Sequence, residues 1–449
     1  MSIGQFILLG NWLLEGNYKE KFKRLWANKA ACLIIAFLLL HMIGLLWSAD
    51  LDYGIKDIRI KLPLLLIPFV LSSSRPLTIE QFKWLLHFFV FSIFITTVFS
   101  YGKYFGVYGS SISDKRELAI RISHIRYGLM IVFAFFCALY FGLKNKKYRF
   151  LYYLLAIYFL GCLLLFQFYS GLAVFFLISC FLLIRSLFHT EYSIFRKLFA
   201  AFVLLILIGV PSVIFYQVYK EFTYVPKQFA YDQDDFKAIT ESGNPYQHHL
   251  DLKYTENGYY VWRFISEDEL RKEWNSSSEL DYDGKDLKGQ ALRSTLFRYL
   301  TSLGLKKDSA GFSKLTERDV NAVEQGVANY YLATHNRLKG RIHSTLYEIN
   351  NYRKHRLAEG FSVAMRFEYW HLAFEIIEEN PYFGVGTGDI QQAFNQKYQS
   401  GESVLNNEEY WRRSHNQYLS TWIQLGLPGL LLLLTMFFYP LFQRANHKS

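Results

Sequence analysis

The chain has 449 residues, 52% hydrophobic and 18% aromatic, with a formal net charge of +11. So high an aromatic share argues against an ordinary soluble protein. The charge is not a nucleic-acid footprint either: residues 217–417 carry 25 Lys/Arg against 29 Asp/Glu, and the remainder carries the positive excess with no basic stripe suited to a duplex.

Apolar runs lie at about Ala30–Trp47, Ile58–Leu71, Phe82–Tyr101, Tyr127–Leu143, Phe150–Phe168, Leu172–Ile184, Leu198–Tyr216 and Tyr418–Phe442. A spanning helix takes about 20 mainly apolar residues, and most runs provide them. Ile58–Leu71, interrupted by Pro63 and Pro68, and Leu172–Ile184 are short, and cross only with flanking residues or by tilting. Ile3–Leu14 reads as an interfacial helix or the stub of a longer segment. The expected fold class is an all-α polytopic membrane protein with about eight transmembrane helices and one large, mainly helical periplasmic loop domain. The expected divisions are an N-terminal cytoplasmic or interfacial segment (1–29), a bundle of about seven spans (30–216), the loop domain (217–417), a final span (418–442) and a cytoplasmic tail (443–449). Basic clusters at Lys19–Lys29, Lys144–Arg149 and Arg185–Lys197 fall on one side if the runs alternate. Positive loops mark the cytoplasm, so the large loop faces the periplasm.

Cys32, Cys137, Cys162 and Cys180 all lie in apolar runs, which leaves the loop without disulfides or thiolate ligands. His248 and His249 are adjacent and cannot easily face one ion together, so no metal site is expected. No cleavable signal peptide is visible.

Within the loop, Asn257-Gly258 between residues rich in Tyr, Val and Trp predicts a hairpin. A short amphipathic helix follows near Leu292, and Thr316 with Asp319 reads as a cap. The stretch MRFEYWHLAFEIIEENPYFGVGTGDI predicts an amphipathic helix broken at Asn380-Pro381, then a glycine turn at Gly384, Gly386 and Gly388. Gln391–Tyr398 is a second short helix. The turn serves either positive φ angles or close backbone approach to a ligand. His415-Asn416 stands just before the last span. This histidine is either interfacial or a base, because its charge change lies near neutral pH. Arg366, and Arg121, His124 and Arg126 in RISHIRYG, read either as snorkelling anchors or as phosphate ligands.

Taken together, MRFEYWHLAFEIIEENPYFGVGTGD followed by SHNQYLSTWIQLGLPG resembles the O-antigen ligase and polysaccharide polymerase family (WaaL/Wzy type). Arg366, Trp370, Pro381, Gly384, Gly386, His415, Asn416, Gly426 and Gly429 match its motif positions, and SHIRYG is similar to its outer-loop segment. The resemblance implies a metal-independent inner-membrane glycosyltransferase without a cofactor. It would move a glycan from undecaprenyl pyrophosphate to an acceptor hydroxyl, on lipid A–core or another glycan, at the periplasmic face. It implies catalytic roles for His415 and Arg366, and substrate binding by Arg126, His124, Arg121, Gly384, Gly386 and Asn416. Its partners are the lipid-linked donor, the acceptor and the bilayer, with no nucleic acid. Two departures stand out. Members usually have ten or more spans, several after the histidine, so a shortened product or fragment is expected. Many also carry Ser-Arg where this chain reads FYSGLA around Ser170. The alternatives are an O-antigen or exopolysaccharide polymerase and, from another class, a receptor or transporter with a periplasmic domain.

Overall fold

The computed structural model describes residues 3–107, 115–119, 122–223, 238–252, 254–335 and 337–445. The chain divides into two compact units, Met1–Ser74 with Ile214–Ser449, and Arg75–Val213.

The first unit opens with helices α1 (Ile3–Leu14), α2 (Tyr18–Ala27) and α3 (Lys29–Ile43), a 3-10 turn at Gly44–Trp47, then α4 (Leu51–Lys61) and α5 (Pro63–Ser73). Side-chain caps set two of the starts. Asn28 accepts from the Ala31 N–H at 3.1 Å, and Asp50 accepts from the Tyr53 N–H at 2.9 Å. The expected run Ile58–Leu71 is divided between α4 and α5. Pro63 has no N–H to extend α4 but suits the first turn of a new helix.

The second unit holds α6 (Ile79–Tyr104), α7 (His124–Lys144), α8 (Arg149–Phe166) and α9 (Tyr169–Phe188). Its core gathers Tyr127, Ile131, Phe159, Leu163 and Phe166, all essentially buried. The Tyr127 hydroxyl is 3.0 Å from Ser100 Oγ, which meets the need of a polar tip in an apolar core.

The chain re-enters the first unit within α10 (Ile194–Thr223). There follow a hairpin of β1 (Thr255–Glu256) and β2 (Tyr259–Tyr260), then α11 (Glu267–Ser277), α12 (Leu292–Ser302), α13 (Ser309–Phe312), α14 (Glu317–Glu324) and α15 (Tyr330–Thr334). The hairpin forms as expected, with Asn257 and Gly258 both at positive φ, as a two-residue primed turn requires. The Thr316–Asp319 capping box is also present. Trp274, Leu292, Leu296, Phe297 and Leu300 close a separate core, where each fully buried apolar side chain contributes about 2–3 kcal/mol. The last elements are α16 (Arg337–His355), α17 (Ala364–Glu379), α18 (Ile390–Gln399) and α19 (Gln417–Ala445). Helix α19 packs on α3 and α17.

Among the described residues, seven helices are long and apolar enough to cross a membrane: Lys29–Trp47, Ile79–Tyr104, His124–Lys144, Arg149–Phe166, Tyr169–Phe188, Ile194–Thr223 and Gln417–Pro440. Ile58–Leu71 forms no such helix. On α10, Phe195, Phe199 and Phe202 stand 80%, 69% and 61% exposed. An apolar surface of that extent is a liability in water and fits lipid.

Candidate active site

Helix α19 is broken where it matters. Gly426 has φ +65°, outside the helical region, and Pro428 follows it. Two helical carbonyls thereby lose their partners. Pro428 has no N–H for the Gln424 carbonyl, and the Leu427 N–H turns to the Pro381 carbonyl at 3.0 Å instead of to Ile423. The turn after α17 supplies the replacements. Val385 N–H donates to Ile423 O at 2.8 Å, and Gly386 N–H donates to Gln424 O at 3.1 Å. Trp422 Nε1 adds a bond to Pro381 O at 3.1 Å.

The other side of the turn rests on α3 and α4. Thr387 Oγ1 donates to His41 O at 2.7 Å, and Gly388 N–H donates to Ser48 Oγ at 3.0 Å. The Asp389 carboxylate accepts the N–H groups of Ala49 and Asp50, both at 2.8 Å. Gly386 (φ +102°) has no room for a side chain, since a Cβ would lie 2.5 Å from Ser48 Oγ. Gly384 and Gly386 are both buried against protein backbone. The turn therefore has the close backbone approach considered from sequence, but the backbone it approaches is that of α19, α3 and the segment entering α4.

The segment before α19 is pinned at alternate carbonyls by three aromatic donors. Tyr369 Oη donates to Tyr410 O at 2.8 Å, Tyr398 Oη to Arg412 O at 2.7 Å and Trp370 Nε1 to Ser414 O at 2.9 Å. Asn416 caps α19, accepting from the Tyr418 N–H at 2.9 Å. His415 lies between these fixed points with φ +48°. A non-glycine residue in that region costs about 1–3 kcal/mol and persists only where its surroundings over-determine it. The imidazole is exposed, 5.6 Å from the Tyr369 ring.

It opens onto a cavity of about 330 Å³ lined by Ser362, Met365, Arg366, Tyr369, Glu409, Tyr410, Arg412 and His415. Arg366 comes from α17 and Arg412 from the pinned segment. Arg413 lies over the Tyr53 ring at 5.8 Å, which brings α4 to the site. Partial desolvation of the ring, then the charges of Arg366, Arg413 and Arg412, lower the proton affinity of the His415 imidazole from its ordinary value. The shift favours the neutral imidazole, in a cavity that holds two arginines and one carboxylate, Glu409.

The fold thus brings Arg366 of α17 to His415 and Asn416, with Gly384 and Gly386 in the turn that braces α19, the helix that Asn416 caps. His124 and Arg126 belong to the other unit, in the first turn of α7, where Arg126 is exposed. Arg121 lies outside the described residues. Sequence reasoning missed Arg412 and Arg413, although both stand immediately before the Ser414-His415-Asn416 motif. Among the described residues, no group of three His, Cys, Asp or Glu side chains could hold a metal ion.

Seven apolar helices of spanning length define a multi-pass membrane protein. Residues 320–434, which include the cavity's arginines, the glycine turn, His415 and the kink, match the family model described as O-antigen ligase. The chain therefore carries an O-antigen ligase-family domain over those residues, and the resemblance read from its motifs holds. An uncharacterized protein of Haemophilus influenzae is 32% identical over 81 residues, 18% of this chain and 20% of that protein. The match thus spans about a fifth of that relative's length. No solved structure matches the chain.

Proposed function

We propose that the chain is a glycosyltransferase of the O-antigen ligase type, moving a glycan from undecaprenyl pyrophosphate to an acceptor hydroxyl at the periplasmic face of the inner membrane. The observation that carries this reading is the cavity in which His415 faces Arg366 and Arg412, with the imidazole's proton affinity lowered by burial and by those charges. Guanidinium forks suit a diphosphate, which they can hold bidentately. The same charges keep the imidazole unprotonated and ready to accept a proton.

The step needs little else. His415 takes the proton of the acceptor hydroxyl as its oxygen bonds to the anomeric carbon. The bond from that carbon to the phosphate oxygen breaks, and its electron pair leaves on undecaprenyl pyrophosphate. Arg366 and Arg412 stabilise the charge that develops there. Arg121, His124 and Arg126 keep, as a separate proposal, the substrate-binding role that the motif resemblance implies for them, and loss of transfer in Arg126→Ala is its test. Asn416 orients His415 by fixing the start of α19, and Gly384 and Gly386 hold that helix in place. A lipid A–core acceptor makes the protein a ligase, and a growing glycan makes it a polymerase.

The test is transfer by isolated membranes carrying variants, with expression checked. Arg366→Ala should abolish transfer, and Arg366→Lys should rescue it poorly, because a point charge lacks the fork. Near-normal transfer by both variants would show that Arg366 is only an anchor and would overturn the reading.

A further inference from the structure

A second cavity, of about 340 Å³, lies one residue away from the His415 cavity. Phe361 lines the second and Ser362 lines the first. The loop carrying this pair is tied down on both sides. Val363 N–H donates to Glu348 Oε2 at 2.7 Å, while Asn406 and Asn407 N–H donate to Glu359 Oε1 at 2.6 and 2.9 Å. The walls of the second cavity are the aromatic Tyr254, Trp262, Tyr347 and Phe361 with the aliphatic Leu252 and Val261, and Ser294 and Arg298 are its other polar groups. Arg298 is fixed in place: its Nε is 3.0 Å from the buried Glu256 carboxylate, and its guanidinium lies 5.2 Å from the Tyr347 ring.

Aromatic rings with polar tips, a hydroxyl and an immobilised guanidinium form a surface for a ligand that is apolar on its faces and polar at its edge. A pyranose ring has that character: C–H groups on its faces and hydroxyls around its rim. A diphosphate does not, and neither does a polyprenyl chain, which has no use for Arg298 or Ser294. A sugar unit of the donor is already tethered to whatever diphosphate the arginines of the neighbouring cavity hold.

We infer that this aromatic cavity is a glycan subsite, binding a pyranose unit of the donor glycan beyond the sugar that reacts at His415. The inference rests on the glycosyl-transfer reading and specifies what that site recognises. It gives the region before residue 320, outside the matched family domain, a part in substrate choice.

The experiment uses the full chain in nanodiscs. The probe is the oligosaccharide released by mild acid from the lipid-linked glycans of a strain lacking the gene for this chain, followed by saturation-transfer NMR and tryptophan fluorescence. Ser294→Trp, which fills the cavity, should weaken binding at least tenfold. Phe361→Ala and Trp262→Phe should weaken it as well and carry the decision if Ser294→Trp fails to fold. Gly161→Ala, at an open helical position in α8, should bind like the wild type. In transfer assays, Ser294→Trp should raise KM about tenfold for a donor with several sugars, and leave KM unchanged for a donor with one. No binding by the wild type, unchanged binding in all three cavity variants, or an equal rise in KM for both donors overturns the subsite. Binding that is lost in the cavity variants without any transfer by the wild type leaves the subsite standing and overturns the transfer reading instead.

Discussion

In the proposed transfer the charges around His415 have two tasks, and they conflict until the donor arrives. In the free protein Arg366, Arg412 and Arg413 add to burial in lowering the imidazole's proton affinity. This keeps the base neutral but weak. A diphosphate bound to those arginines offsets their charge, so the imidazole becomes a stronger base when a substrate needs one. The consequence is readable in pH profiles, since kcat/KM reports the free enzyme and kcat reports the complex. Activity requires neutral His415, so both quantities should fall as pH drops through its pKa. The acid limb of kcat/KM should lie below the ordinary histidine value of about 6.5, and the limb of kcat should lie at higher pH. Arg412→Gln should move the kcat/KM limb upward and narrow the gap. Coincident limbs in the wild type would remove His415 from the role of base. His415→Ala should reduce transfer by roughly 10²–10⁴-fold, and His415→Gln nearly as much, because an amide cannot accept the proton. Full activity of His415→Gln would leave it a structural residue of the segment before α19.

On the next scale up, the turn after α17 and the kink in α19 act as one device. Neither is self-sufficient: the kink leaves the Ile423 and Gln424 carbonyls open, and the turn presents the Val385 and Gly386 N–H groups that close them. Gly386→Ala forces a side chain into positive φ against Ser48, and should destabilise the protein by about 1–3 kcal/mol. Gly161→Ala, with open space at a helical position in α8, should be neutral or slightly stabilising. Thermal unfolding of the purified proteins in detergent compares the two, and equal stability would show that the brace is dispensable. This device also marks the limit of what could be read in advance. The Asn257-Gly258 hairpin, the end of α17 at Asn380 and the span of α18 were legible because their signals are local. The loss of an N–H at Pro428 was equally visible, but its remedy was not. Nothing local pairs Asp389 with Ala49 and Asp50, or Thr387 with His41, across most of the chain. Arg412 and Arg413 were in view beside His415. Only the pinning of alternate carbonyls by Tyr369, Tyr398 and Trp370 shows which way that segment presents its side chains.

For the molecule as a whole, the decisive question is the side of the membrane on which this cavity opens, because a lipid-linked donor and an extracytoplasmic acceptor meet on one side alone. The answer does not depend on the total number of spans, and so is unaffected by the division of Ile58–Leu71. Helices α8, α9 and α10 suffice. The stretch between α7 and α8 carries Lys146 and Lys147, with Lys144 and Arg149 at the adjoining helix ends, and the stretch between α9 and α10 is flanked by Arg185, Arg196 and Lys197. If each helix crosses once, these two stretches share a side, and the residues after α10 lie opposite. Basic residues next to spans are retained in the cytoplasm, so the expectation is that the residues after α10 face outward. The near-neutral charge of residues 217–417 is consistent with export. A fluorescent protein that matures only in the cytoplasm should therefore be bright when fused after Lys147. It should be dark when fused after Ser242, in an exposed turn beyond α10. A bright Ser242 fusion would place His415 and its arginines on the cytoplasmic side. The undecaprenyl-linked donor would then have to be used before it is flipped, and the outer-face transfer proposed here would fail whatever the His415 variants show.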